Sequence, residues 1–211
     1  MKKILFFISQ DMYVKHYLTF DSFKLIEKKY KCSFLASKDV KIFKDLIERK
    51  KNFLGFITRN DKKDRFSRIL SDALLLANSH KSSSFPLRII MRFNLNFRNI
   101  LRKPLWKTPF RILIRLFNAF RIFSTRFPVS LIIKNNFILR KLNNYIHTNK
   151  NFEKILDEIN PDLVIIPTSG QDGQFFQSVV ESRKKKIKTF AIIDNWDNIS
   201  TKSIMPEHPN F

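Results

Sequence analysis

Glycine is nearly missing from this chain. Only Gly55, Gly170 and Gly173 occur in 211 residues. Neither common glycine-rich phosphate loop can be written with those positions, so both are excluded. Cysteine is scarcer still. The single Cys32 rules out an intrachain disulfide framework and a cysteine-based zinc site. Its setting, Lys31-Cys32-Ser33-Phe34-Leu35, reads as a strand start, where a lone cysteine packs as a small apolar residue. A reducing cytoplasm is the simplest home. The amino terminus has the charge of a signal peptide, but its apolar core, Ile4 to Ile8, is only five residues long. A secretory core needs ~7–15 and a spanning helix ~20. No later run approaches that length, so neither export nor a transmembrane helix is expected. The four histidines, His16, His80, His147 and His208, stand singly without metal-ligand spacing. No metal and no bound cofactor are expected.

The last absence is local. No Asp or Glu occurs from Ala73 to Asn151, while that segment holds 15 Lys or Arg, nine of them Arg. The whole chain carries a net charge of +22, so most of the excess sits in its middle. Such a block implies an anionic partner: nucleic acid, a phospholipid surface or a phosphorylated substrate. A bias of the genome toward Lys is a weaker explanation, because this block is mostly Arg.

What is present is globular: 44% apolar and 14% aromatic residues, too many for a disordered chain. Residues 3–9, 32–37 and 53–58 read as buried strands, short apolar runs that end in polar residues. A helix of residues 13–30 and a second of residues 38–51 separate them. Residues 63–80 are helical as well. The alternation returns at Asn151, with a helix closed by Pro161, a strand over 162–170, a helix from Gln171 and a strand over 188–194. Strands alternating with helices indicate a parallel sheet covered on its faces. The expected fold is α/β: one Rossmann-like, doubly wound parallel sheet over residues 1–211, with a basic helical insertion at about 60–150.

In open α/β sheets, ligands bind at the carboxyl ends of strands, near the topological switch point. Three strand ends are polar: Ser9-Gln10-Asp11, Thr168-Ser169-Gly170-Gln171-Asp172, and Asp194-Asn195-Trp196-Asp197-Asn198. The candidate substrate-binding residues are Ser169, Gly170, Gln171, Asp172, Asp194, Asn195, Trp196, Asp197, Asn198, Ser200 and Lys202. Asp and Asn accept hydrogen bonds from sugar hydroxyls, and Trp196 offers a face for a sugar ring. Ser200, Thr201 and Lys202 suit a phosphate, and the helix start after Gly170 favours an anion. Asp194 and Asp197 are equally suited to capping turns, and Trp196 to anchoring a core. His16, soon after the first strand, is the candidate general base, though a lone helical histidine is more often a surface or packing residue.

Residues 107–127 plotted as a helix place Lys107, Arg111, Arg115, Asn118, Arg121 and Thr125 on one side. Ile112, Leu113, Leu116, Phe117, Phe120 and Phe123 fall on the other, while Ile114 and Ile122 break the pattern. A basic face opposite a Phe/Leu/Ile face is the pattern of an interfacial membrane helix, with Lys107, Arg111, Arg115 and Arg121 as the membrane contacts. The plainer alternative is an amphipathic helix packed on the sheet with a solvated basic face. No nucleic-acid module is visible, so no nucleic-acid partner is expected.

Residues 13–37, and the run from Asn160-Pro161 to Asn195-Trp196-Asp197-Asn198-Ile199-Ser200-Thr201-Lys202, resemble one family. They are similar to the N-terminal half of GT-B-type glycosyltransferase-like proteins of bacterial surface-carbohydrate synthesis. The match covers roughly residues 1–60 and 150–205. The Trp-Asp-Asn element is its specific part; the rest is a general Rossmann-like pattern. The resemblance implies an acceptor-binding first domain and a second domain that holds the nucleotide-sugar. It implies peripheral attachment to the inner face of the plasma membrane and a lipid-linked or polysaccharide acceptor, with no metal. The donor domain has no counterpart in these residues, so the expectation is an acceptor-binding half that is inactive in sugar transfer alone. A non-catalytic basic module that binds an anionic surface or polymer is the alternative, as is a polyol-phosphate transferase of similar architecture.

Overall fold

The structure is a computed structural model and describes residues 1–19, 21–58, 61–78, 108–169, 173–193 and 209–211. Five strands are described: β1 (Lys3–Ile8), β2 (Lys31–Ser37), β3 (Phe53–Ile57), β4 (Leu163–Thr168) and β5 (Lys188–Ile193). All pair in parallel, in the order β3-β2-β1-β4-β5. The chain winds outward from β1 to β3, then crosses to β4 on the other side of β1. This is the Rossmann-like doubly wound arrangement, with its switch point between β1 and β4.

Eight helices are described. In the first half of the chain are α1 (Asp11–Leu18), α2 (Asp21–Lys29), α3 (Lys44–Glu48) and α4 (Asp61–Ala77). In the second are α5 (Thr108–Ile132), α6 (Asn136–Ile146), α7 (Lys150–Ile159) and α8 (Gly173–Lys184). β1 explains why its run is continuously apolar. Successive side chains point to opposite faces, and both faces are covered. Ile4, Phe6 and Ile8 join the core under α1 to α3. There the Phe6 ring lies 5.3 Å from Phe34 and 5.2 Å from Phe23. Leu5 and Phe7 point the other way, into the core under α7 and α8 with Phe152, Leu156, Phe175 and Phe176.

The expected helix over 13–30 is two helices. Thr19 and Asp21 flank the break, and both types favour caps and turns over helix interiors. The expected helix over 38–51 survives only as α3. Residues 38–43 are held elsewhere: Asp11 accepts the backbone N–H groups of Lys41 and Phe43, both at 3.0 Å. These tertiary bonds outweigh local helix preference. Gly55 has φ +115 beside a register shift in the β2–β3 pairing. A Cβ there would have open space, so the glycine serves the backbone angle alone. α7 ends on Asn160, whose φ is 46, a left-handed angle that Asn tolerates, and Pro161 then prevents continuation.

The basic insertion is helical where described. α4, α5 and α6 share a small core of their own around Leu70, Ala73, Leu74, Ile133 and Ile146. α5 runs straight through Pro128, which is exposed, as is Ser124, whose carbonyl would have received the missing N–H bond.

Candidate functional site

The switch point gathers hydroxyl groups. β1 and β2 register Ile8 against Ala36, which sets Ser9 beside Ser37. Extending the β1–β4 register from Phe6 and Ile165 sets Thr168 on the other side of Ser9. Ser9, Ser37 and Thr168 are all buried, and Ser169 is half-buried at the same lip. Ser37 is satisfied locally, its Oγ accepting the Asp39 N–H at 3.1 Å. The Ser9 Oγ is buried and has no hydrogen-bond partner among the described residues. An unmade hydrogen bond at a buried hydroxyl is costly, and a ligand or water hydroxyl in the crevice would remove that cost. Ser37 is absent from the sequence-based candidates, although its signal was there, as the last residue of the second apolar run.

Asp11, at the same sheet edge, is not free for chemistry. Its carboxylate is occupied by the Lys41 and Phe43 N–H groups and fixes the loop after β2 to the start of α1. His16 is exposed on α1, on the side away from the buried Tyr13, Val14 and Leu18. Of the candidate substrate-binding residues, Ser169 is placed at the β4 end of the crevice. Gly170, Gln171, Asp172, Asp194, Asn195, Trp196, Asp197, Asn198, Ser200 and Lys202 lie outside the described residues, as does Lys107. β5 is described as far as Ile193, level with Thr168 at the crevice edge.

α5 has an orientation that the two sequence alternatives did not include. It packs along α4 rather than on the sheet. Ala119 and Ser130 are buried, and Arg111, Ile112, Arg115, Ile122 and Arg126 are half-buried on the same inner side. Arg126 Nε approaches the Asp72 carboxylate at 3.6 Å, an ion pair looser than a hydrogen bond. Phe110, Leu113, Phe117 and Phe120 point outward, each 64–70% exposed. Leu116, Phe123, Phe127 and Leu131 continue that surface, and Arg121 is exposed within it. A contiguous apolar surface of this extent marks an interaction site. Arg111 has a buried Nη1 with no hydrogen-bond partner among the described residues. Among the described residues, no helix is long and apolar enough to cross a membrane.

A buried polar cluster lies away from the crevice, where α4, α6, α7 and α8 meet. Glu181 is fully buried; its Oε1 accepts the Asn149 N–H at 2.8 Å and the Lys184 ammonium at 3.1 Å. Lys63 donates to the Thr148 carbonyl, and its own proton affinity is lowered by burial. His147 is fully buried, 5.4 Å from the Phe176 ring, and neither ring nitrogen has a hydrogen-bond partner among the described residues. Burial, and then the nearby Lys63 cation, lower its pKa to about 4. The cluster ties the insertion to the sheet-covering helices.

A cavity of about 420 Å³ opens at the opposite, amino-terminal edge of the sheet. Among the described residues no group of three or more His, Cys, Asp or Glu side chains is placed to hold a metal ion. The chain matches no family model, no curated protein and no solved structure.

Proposed function

We propose that this chain is the acceptor-binding half of a membrane-associated glycosyltransferase, attached peripherally to the inner face of the plasma membrane. The observation that carries the reading is the outward Phe and Leu face of α5, on an acid-free basic segment attached to a Rossmann-like sheet. That face suits the headgroup boundary of an anionic bilayer, with Arg121, exposed within it, reaching phosphates. Docking there would hold the β1/β4 crevice near a lipid-linked acceptor. The crevice lip, with Ser9 and Ser169, supplies hydroxyls for sugar recognition.

In the reaction, a base at the crevice takes the proton of an acceptor hydroxyl. The oxygen then attacks the anomeric carbon of the donor sugar. The bond from that carbon to the nucleoside diphosphate breaks, and the diphosphate leaves with the electron pair. His16 is the candidate base. The nucleotide-sugar belongs to the second domain that the family resemblance implies. Fixed charges facing the leaving diphosphate would lower the barrier.

The test has two arms. The 211-residue chain is sedimented with vesicles of neutral or 30% anionic phospholipid, with and without a short polyprenyl-diphosphate-linked monosaccharide. The expected result is binding to anionic vesicles, lost in Phe117→Glu/Arg121→Glu, and strengthened by the glycolipid unless Trp196→Ala/Asp197→Asn is present. Anionic binding without any glycolipid effect would support the second reading, a non-catalytic surface-binding module, which α5 favours equally. Absence of both effects would sink the two readings together.

A further inference from the structure

We propose that the cavity at the amino-terminal edge of the sheet binds a long-chain carboxylate, a hydrocarbon tail ending in one negative charge. The cavity lies on the α1–α2 face, at the far end of the strands from the switch point. Six residues of strand separate the two ends, about 20 Å. Its volume of about 420 Å³ falls within the ~300–1,000 Å³ of small-molecule sites. The floor is Ile4, Leu163 and Ile165 from the two central strands, and Ile26 forms one wall. Phe190 and Phe211 form the opposite wall, with Phe190 41% and Phe211 65% exposed. Phe211 is held there by backbone bonds to β5: its N–H donates to Thr189, and its carbonyl accepts from Ala191 at 2.9 Å. The wall is therefore part of the sheet ladder rather than a loose end.

The polar groups of the rim specify the head. Lys2 and Lys188 stand at the mouth with Asp162. Asp162 Oδ2 accepts the Lys3 backbone N–H at 2.7 Å, which fixes that carboxylate in place. The Lys2 and Lys188 ammonium groups and the Tyr30 hydroxyl are hydrogen-bond donors along this lining, and a carboxylate head accepts from such donors. Lysine ammonium groups are point charges that accept a carboxylate from many angles. The floor offers no hydrogen-bonding side chain, so the buried part of the ligand is hydrocarbon. Each methylene transferred from water contributes about 0.8 kcal/mol, so even a short tail selects this slot. This site is independent of the sugar-transfer reading and of α5.

Calorimetric titration with dodecanoate, below its micelle concentration, tests the assignment. The expected result is saturable binding of one dodecanoate per chain. Binding should weaken at least ten-fold in Lys2→Glu/Lys188→Glu, whose side chains are both exposed and carry no packing. It should vanish in Ile26→Trp, which fills the slot. Dodecyltrimethylammonium, with the same tail and opposite charge, should not bind. Binding unchanged in either variant, equal binding of the cationic amphiphile, or loss of binding in Phe117→Ser/Phe120→Ser would overturn the proposal. The last outcome would mean that the outward face of α5 had taken up the probe.

Discussion

His147 provides the sharpest test of the packing between the insertion and the sheet helices. In the unfolded chain its imidazole titrates near 6.5; in the folded chain it stays neutral down to about 4, because burial and then the Lys63 cation oppose a second charge. Glu181, on α8, is the nearest compensating acid named in the cluster, but it already serves Lys184 and the Asn149 N–H. Between pH 6.5 and about 4 the unfolded state therefore binds more protons than the folded one. Stability from this group is full above pH 6.5 and falls as the pH drops toward 4. At pH 5 the loss is about 2 kcal/mol, and it approaches about 3 kcal/mol below pH 4. His147→Phe removes the titration and also the unpartnered ring nitrogens. Urea unfolding followed by far-ultraviolet circular dichroism at pH 7.5, 6.0 and 5.0 measures both proteins. The variant should match or exceed the wild type at pH 7.5, within about 1 kcal/mol, and lead it by about 2 kcal/mol more at pH 5.0. Carboxylates titrate in both proteins and cancel in the comparison. Parallel pH dependences, within about 0.5 kcal/mol, would refute the assignment of His147 as a buried neutral imidazole.

Two further outcomes follow from the first half of the sheet. Asp11→Ala removes the acceptor of the Lys41 and Phe43 N–H groups and should destabilise by about 1–3 kcal/mol, with Asp11→Asn recovering most of it in thermal melts. Cys32 is buried, and desolvation, aided by Glu27 and opposed by Lys50, raises its thiol to about 11. In Ellman's reagent at pH 8 the folded chain should react at least ~100-fold more slowly than the urea-unfolded chain; equal rates would show an accessible thiolate.

The strands were legible because each is a short run with both faces buried. β1, β2, β3, β4 and β5 all lie where apolar runs end in polar residues, within one or two positions. The helices were less legible where tertiary bonds compete. Nothing near residues 38–43 announces that Asp11, some thirty positions earlier, will claim two of their N–H groups. α6 falls within the expected helical insertion but is not delimited by the sequence, because its half-buried faces serve a local core with α4 and α5 rather than the sheet. The periodicity of residues 107–127 separated basic from apolar positions, but it could not say which side would meet α4. The structure turns Arg111, Arg115 and Arg126 partly inward and the phenylalanines outward. At the crevice, the polar strand ends were readable from sequence, but the unpartnered Ser9 Oγ depends on its neighbours in β2 and β4 and has no sequence signal.

The seam between β1 and β4 has a consequence for the order of assembly. Lys3 and Asp162 exchange reciprocal bonds across 159 residues of chain. Closing so long a flexible loop would cost about 4.5 kcal/mol in chain entropy. A helical insertion with its own small core shortens the effective tether, since α4 and α6 bring residues near 70 and 146 together beforehand. On the ribosome, β1, β2 and β3 emerge first and cover only one of their faces; the other, with Leu5, Phe7 and Leu35, waits for α7 and α8. An insertion core that forms before the seam closes would act as a splint during synthesis. Loosening its core, for instance at Leu70 or Ile146, should slow seam closure and lengthen the time for which that apolar face is open to chaperones.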